Sequence, residues 1–296
     1  MKTCPKQTGV VATEATRSGM MRAMTTTLAI ANQKGGVAKT TTVASLGAAL
    51  AELGHRVLLV DLDPQACLTF SLGIDPEDLE LSVHHVLTKG LDATEVLIET
   101  EDGVDLLPAT IELARAEADL LTRTGREHVI KSALEALDED LGDEGYDWVL
   151  LDCPPSLGVL TVAALTAADG VLVPLQCETL SHRGVGQLLD TVHDVRRFTN
   201  RKLEVWGVLP TLYDGRTNHS RTVLGTISDT YELEVVEPPI PKTIKFAEAP
   251  AAGRSILSTA ARSNKGAQAY REVAANLVIR SQRPRTARPV KKKARA

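Results

Sequence analysis

Residues 33–41 read Q-K-G-G-V-A-K-T-T, an order of glycine, lysine and hydroxyl residues suited to holding a polyphosphate between a strand and a helix. Main-chain N–H groups at a helix start point at an anion, and the helix dipole adds to the attraction. Gly35 and Gly36 let the backbone approach phosphate closely. Lys39 would reach the β/γ-phosphates as a point charge, and the Thr40 hydroxyl would ligate Mg²⁺. Val37, Ala38 and Thr41 complete the loop, which runs from Lys34. The generic pattern G-x-x-x-x-G-K-[ST] fails at both glycines, because Gln33 and Ala38 stand there. Alanine at a position needing positive φ costs about 1–2 kcal/mol. On right-handed backbone it costs almost nothing and stiffens the loop. Since everything around Ala38 is intact, tolerance is expected.

Two carboxylate clusters accompany the loop. D-L-D-P-Q (61–65) closes an apolar run, and the period-2 rule predicts Asp61 and Asp63 on one face of its strand. Both then point into the crevice outside the strand ends. V-L-L-D-C-P-P-S (149–156) sets Asp152 at the end of another apolar strand, where it would hold Mg²⁺ directly or through water. Cys153 reads as a small buried hydrophobe. His84-His85 lacks metal-ligand spacing and reads as structural. Phosphoryl transfer to water needs positioning and charge neutralisation rather than a nucleophilic His or Cys.

The elements that must position these groups follow in order. T-L-A-I-A-N is a short apolar run from Thr26, and Val43, Leu46, Leu50 and Leu53 then recur on one helical face up to Gly54. Arg56–Asp63 predicts a parallel strand buried on both faces. Further strands are predicted over 104–109, 148–152, 170–175 and 205–210, and helices over 127–137, 161–168, 184–198, 218–231 and 265–279. This alternation predicts a single-domain α/β fold with a mostly parallel twisted sheet and helices on both faces. Thr69–Glu101 carries no clear pattern.

Composition narrows the function. The chain has 296 residues, 43% of them hydrophobic and only 3% aromatic, so the core is aliphatic and base-stacking platforms for single-stranded nucleic acid are not expected. The four cysteines form no C-x-x-C pair, which argues against a disulfide framework, a zinc site or an iron–sulfur cluster and fits a reducing cytoplasm. No apolar run approaches the roughly 20 residues that span a bilayer. Residues 1–24 read as a disordered leader, 25–280 as the folded domain and 281–296 as a basic disordered tail. The whole chain carries −5; eight cations and no acid fall in residues 280–296, which leaves residues 1–279 at −13. Such a tail suits DNA phosphates, with solubility or membrane-surface roles as alternatives.

The variant with an additional lysine, K-G-G-V-x-K-T-T, resembles the signature of the ParA/MinD family of deviant Walker A P-loop ATPases. A-N-Q-K-G-G-V-A-K-T-T-T is similar to its chromosomal, Soj-like branch. The resemblance extends from about Thr26 to Ile279. It implies slow ATP hydrolysis to ADP and phosphate with Mg²⁺, and a homodimer in which Lys34 crosses to the partner's phosphates. It also implies that Asp61 helps organise the Mg²⁺ shell and that Asp63 positions the attacking water. L-P-T-L-Y-D-G-R-T-N (209–218) and I-P-K-T-I-K-F-A-E-A-P (240–250) are further family-like segments. By resemblance the second closes over the base around Pro241, and Arg216 and Lys245, with Lys242 also basic, contact DNA nonspecifically. A ParB-like partner that stimulates hydrolysis, and nucleoid association, follow from the same resemblance. A MinD-like membrane switch or another cargo-positioning role is the alternative, although the prolines of R-P-R-T-A-R-P-V-K-K-K break the C-terminal amphipathic helix it needs.

Overall fold

The structure is a computed structural model that describes residues 24–177, 181–215 and 218–282. The leader up to residue 23, Arg216 and the tail from residue 283 lie outside the described residues. In chain order the strands are β1 (Thr26–Ile30), β2 (Val57–Asp61), β3 (Ile98–Glu99), β4 (Asp105–Leu107), β5 (Trp148–Asp152), β6 (Gly170–Gln176) and β7 (Glu204–Thr211). Between and after them come α1 (Lys39–Glu52), α2 (Cys67–Ser71), α3 (Val83–Lys89), α4 (Leu113–Leu121), α5 (Val129–Leu141) and α6 (Val159–Ala167). The chain continues through α7 (Ser181–Phe198), α8 (Asn218–Tyr231), α9 (Lys245–Glu248), α10 (Ile256–Thr259) and α11 (Lys265–Ser281).

The seven strands form one sheet in the order β3-β4-β2-β5-β1-β6-β7. Every pairing is parallel except β3 with β4, which is antiparallel at the edge. Every residue of β1, β2 and β5 is buried, as continuous apolar runs covered on both faces require. Successive side chains feed opposite layers: Ala29, Leu58 and Leu151 enter the core beneath α4–α7, and Leu28, Leu59 and Leu150 the core beneath α1 and α11.

Helix α1 is buried from Thr42 to Leu50 because it is sandwiched between the sheet and α11. Its small residues make that approach possible: a Cβ at Gly47 would stand 2.7 Å from a Leu59 methyl. Leu53, expected on the buried face, is 50% exposed because the helix has ended at Glu52. Thr69–Glu101 folds into short pieces, some started by Asx-type contacts such as Asp75 to the Glu77 N–H and Asp92 to the Thr94 N–H. Helix α4 buries only Leu113, Ala116 and Leu120, a stripe too sparse to predict from sequence.

Candidate phosphate-binding site

The loop after β1 lies where β1 is flanked by β5 on one side and β6 on the other. Side chains from distant elements hold its shape. Asn32 donates through Nδ2 to the Pro174 carbonyl at 2.7 Å and accepts the Lys34 N–H at 3.0 Å. From the end of β7, the buried Thr211 hydroxyl donates to the Val37 carbonyl at 2.9 Å. Lys39 Nζ reaches the Lys34 carbonyl at 3.4 Å, so the ammonium lies inside the loop's curve. Asn32 and Thr211 were not legible as site residues, because their partners are far away in sequence.

Ala38 overturns one expectation. It sits at φ 64°, ψ 36°, in left-handed conformation, and its carbonyl accepts the Thr42 N–H that opens α1. Its Cβ therefore carries the steric cost that the expected tolerance assumed away. Ala38→Gly is expected to raise stability by about 1 kcal/mol, or roughly 2–4 °C in melting temperature, by relieving that strain. Calorimetric melting checks this, and a lower melting temperature would contradict it. Gly36 is also left-handed, at φ 74°, and open space lies beside both Gly35 and Gly36 where side chains would stand.

The strand expected to carry both carboxylates ends before Asp63. β2 ends at Asp61, and the Asp61 Oδ1 atom accepts the Asp63 N–H at 3.1 Å, which turns the chain. The period-2 rule therefore stops one residue short of Leu62. Asp61 is fully buried, while Asp63 is half-buried and lines the cleft. Asp61 Oδ2 accepts both the N–H and the hydroxyl of Thr69, at 2.9 and 2.8 Å. Its carboxylate is thus occupied within the protein, and burial pushes its pKa up to about 6.

Asp152, directly across the strands from Asp61, is the opposite case. It is fully buried and neither carboxylate oxygen has a hydrogen-bond partner. Burial, then the Asp61 charge, pushes its pKa well above the usual carboxylate range, while the Thr40 hydroxyl and the Lys39 ammonium pull it back. Lys39 is itself only 7% exposed; burial draws its pKa down, against Asp152 and Asp63. Two unpartnered carboxylate oxygens beside a threonine hydroxyl at the foot of a phosphate loop suit a hard divalent cation such as Mg²⁺.

A cleft of about 590 Å³ opens from the loop. Its lining includes Gly35, Lys39, Thr40 and Asp63 and the apolar side chains of Phe70, Phe246 and Ile256. Pro241 is not among its lining residues; it forms an isolated bridge with Tyr213, two residues beyond the Thr211 that bonds the loop. Lys242 and Lys245 are exposed, and Lys245 pairs with Glu248 at 2.6 Å. Arg280, counted by sequence with the tail, is spent on the body: it donates to the Trp206 carbonyl at 2.9 Å and to Glu234 at 2.8 Å. His84 is buried and His85 caps α3 through the Ser82 N–H. No group of three or more metal-ligating His, Cys, Asp and Glu occurs among the described residues.

A parallel α/β sheet with this loop after its first strand and buried acids on neighbouring strand ends defines a P-loop nucleotide-binding protein. A family model described as an AAA domain matches residues 25–205. The chain is 44% identical to the sporulation initiation inhibitor protein Soj of Bacillus subtilis, covering 84% of this chain and 98% of that one. It is also 44% identical to the chromosome-partitioning ATPase Soj of Thermus thermophilus, covering 89% and 99%. Among solved structures, one described as cobyrinic acid a,c-diamide synthase from Mycobacterium smegmatis, with an ATP analogue and magnesium, is 56% identical, with a TM-score of 0.77 over 88% of this chain and 96% of that one. The chain belongs to the ParA/MinD family of P-loop ATPases, with Soj-type relatives.

Proposed function

We propose that this chain is an ATP-hydrolysing switch of the chromosome- or plasmid-partition kind. The observation that carries the reading is Asp152, fully buried with the Thr40 hydroxyl and the Lys39 ammonium acting on its carboxylate. ATP binds through the N–H groups of residues 34–41, with Lys39 on the β/γ-phosphates and Mg²⁺ held by Thr40 and Asp152. Mg²⁺ neutralises charge on the transferring phosphoryl group. Asp61, already committed to Thr69, supports that shell from behind rather than ligating directly. Asp63 orients the attacking water. Lys34 reaches the phosphates of a second copy, so that ATP drives a homodimer. The base lies against the Tyr213–Pro241 bridge, just beyond the Thr211 that bonds the loop.

In its ATP state the dimer binds DNA nonspecifically through Lys242, Lys245, Arg216 and the tail beyond residue 282, and is nucleoid-associated. A ParB-like protein stimulates hydrolysis and release. No helix among the described residues is long and apolar enough to cross a membrane. A test is DNA binding with Mg²⁺ and ATP or ADP, by full-length protein and by a chain ending at residue 282. ATP is expected to give binding that ADP does not, and truncation to flatten the salt dependence by about 0.9 in log–log slope for each phosphate that the tail neutralises. Equal binding with ADP would contradict the reading.

The name of the Mycobacterium smegmatis protein suggests a second reading, ATP-driven amide synthesis. If glutamine supplied the ammonia, a thiolate nucleophile would be needed. Cys67, Cys153 and Cys177 all have thiols pushed up by burial, Cys177 to about 11, which disfavours that use among the described residues.

A further inference from the structure

The parallel strands begin at the end of the sheet opposite the phosphate loop. There the chain from the end of α7 to β7 reads R-R-F-T-N-R-K over residues 196–202, with four cations and no acid. Hydrogen bonds fix the turn. Arg196 Nε donates to the Leu203 carbonyl at 2.5 Å, and Asn200 Nδ2 donates to the Leu165 and Ala168 carbonyls at 3.1 and 2.7 Å. Asn200 Oδ1 accepts the Lys202 N–H at 3.2 Å. Arg197, Phe198, Arg201 and Lys202 are exposed, and none of these three cations pairs with a carboxylate among the described residues. Phe198 is 71% exposed and the Arg197 guanidinium lies 4.9 Å from its ring centre, so the ring gives the planar fork a platform. Both ends of the described chain lie at this end of the sheet. Thr25 Oγ1 donates to the Tyr146 carbonyl at 2.7 Å just before β1, and Arg280 reaches the Val205 and Trp206 carbonyls near the start of β7, two residues before Gln282. Residues 1–23 carry four cations and one acid, and residues 283–296 seven cations and no acid. Those segments amount to +3 and +7, which leaves residues 24–282 at −15 within a chain of −5. On so acidic a body, unpaired cations gathered at one end make a local field for an anionic polymer.

Duplex phosphates fit this surface better than a lipid surface does. Phe198 is the only apolar residue of the turn, too little to insert among lipids, whereas guanidinium forks match phosphate oxygens. Strand β7 runs eight residues, about 25 Å, from this turn to Thr211, beyond which Tyr213 meets Pro241 and Lys242 follows. We propose that Arg197, Arg201 and Lys202 form a second duplex-phosphate surface, at the opposite end of the sheet from the Lys242–Lys245 segment, so that the ATP dimer holds two stretches of duplex at once. The inference rests on the DNA-binding reading above and adds to it a fixed site beside which the tail departs.

The test uses the full chain with Mg²⁺ and a non-hydrolysable ATP analogue, one duplex fixed on beads and a second, labelled duplex in solution. The wild type is expected to carry the labelled duplex onto the beads. A triple variant, Arg197→Ala with Arg201→Ala and Lys202→Ala, is expected to reach the beads through Lys242 and Lys245 but to carry about fivefold less labelled duplex or lower still, with the log–log salt slope of that capture flatter by about 2–3. If the triple variant does not fold, Arg201→Ala alone is expected to give about a third of that slope change. Wild-type protein on the beads without labelled duplex, or capture by the triple variant equal to that of the wild type, would overturn the inference. Capture kept while binding to phosphatidylglycerol vesicles is lost would overturn it too, making the turn a lipid surface. Absence of wild-type protein from the beads would instead defeat the DNA-binding reading, and the inference with it.

Discussion

Replacing Asp152 by asparagine is expected to stabilise the nucleotide-free protein while nearly abolishing hydrolysis. The carboxylate is fully buried, lies across from a second buried carboxylate, and accepts no hydrogen bond. Without a cation its burial is offset only in part, by the Thr40 hydroxyl and the Lys39 ammonium, and removing the charge should gain about 1 kcal/mol or more, roughly 2–4 °C in melting temperature. The same change removes the proposed Mg²⁺ ligand and should cut turnover by about 100- to 1,000-fold. The pH dependence gives an independent check. Asp61 is raised by burial to about 6. Its unfolded value is about 3.9, so the folded state binds that proton more tightly. The stability this contributes is fully present below about pH 4 and is lost as pH rises through 6. Asp152 shifts in the same direction, so melting of the Mg²⁺-free wild type should worsen between pH 5 and 7.5 more than melting of Asp152→Asn. A less stable asparagine variant with a steeper pH slope would mean that Asp152 is compensated within the protein.

Asp63→Ala is expected to do something different. Asp63 lies on the turn after β2, half-buried at the mouth of the cleft, and its own carboxylate accepts the Gln65 N–H. That bond serves the turn rather than the phosphate loop, so nucleotide affinity should stay within about twofold. Loss of the group proposed to orient water should lower turnover by about 100-fold or more and let the ATP-bound state accumulate. Single-turnover hydrolysis alongside nucleotide titration separates the two effects. Unchanged turnover would remove Asp63 from the reaction, and a parallel loss of affinity would make it a binding residue.

What the sequence made legible is what is local and continuous. W-V-L-L-D gives β5 from Trp148 to Asp152 without error, because every residue of it is buried between two helical layers. Asn218–Tyr231 and the start of α11 at Lys265, after the Asn264 cap, were equally readable. The phosphate loop declared itself through its glycines and lysines. The losses have one physical cause: they depend on contacts across the sheet or on a single dihedral. The left-handed Ala38 stands where the generic pattern has glycine, but alanine normally avoids that region, so the residue alone argued for right-handed backbone. The turn at Asp61 comes from its carboxylate choosing the Asp63 N–H and Thr69 over continued strand. Asn32 and Thr211 acquire meaning only when β6 and the phosphate loop arrive beside them. Arg280 read as the first cation of a DNA-seeking tail, and stacking over Trp206 keeps it on the body.

Everything proposed for this protein turns on the loop from Lys34 to Thr41 being a two-lysine phosphate site completed by a second copy of the chain. Sedimentation of the wild type and of Lys34→Ala, each with Mg²⁺ and a non-hydrolysable ATP analogue or ADP, tests it most directly. The expected result is a dimer of the wild type with the analogue alone, and a monomer of Lys34→Ala that still binds nucleotide. A wild type that stays monomeric with bound analogue, or a Lys34→Ala variant that dimerises as the wild type does, would contradict it.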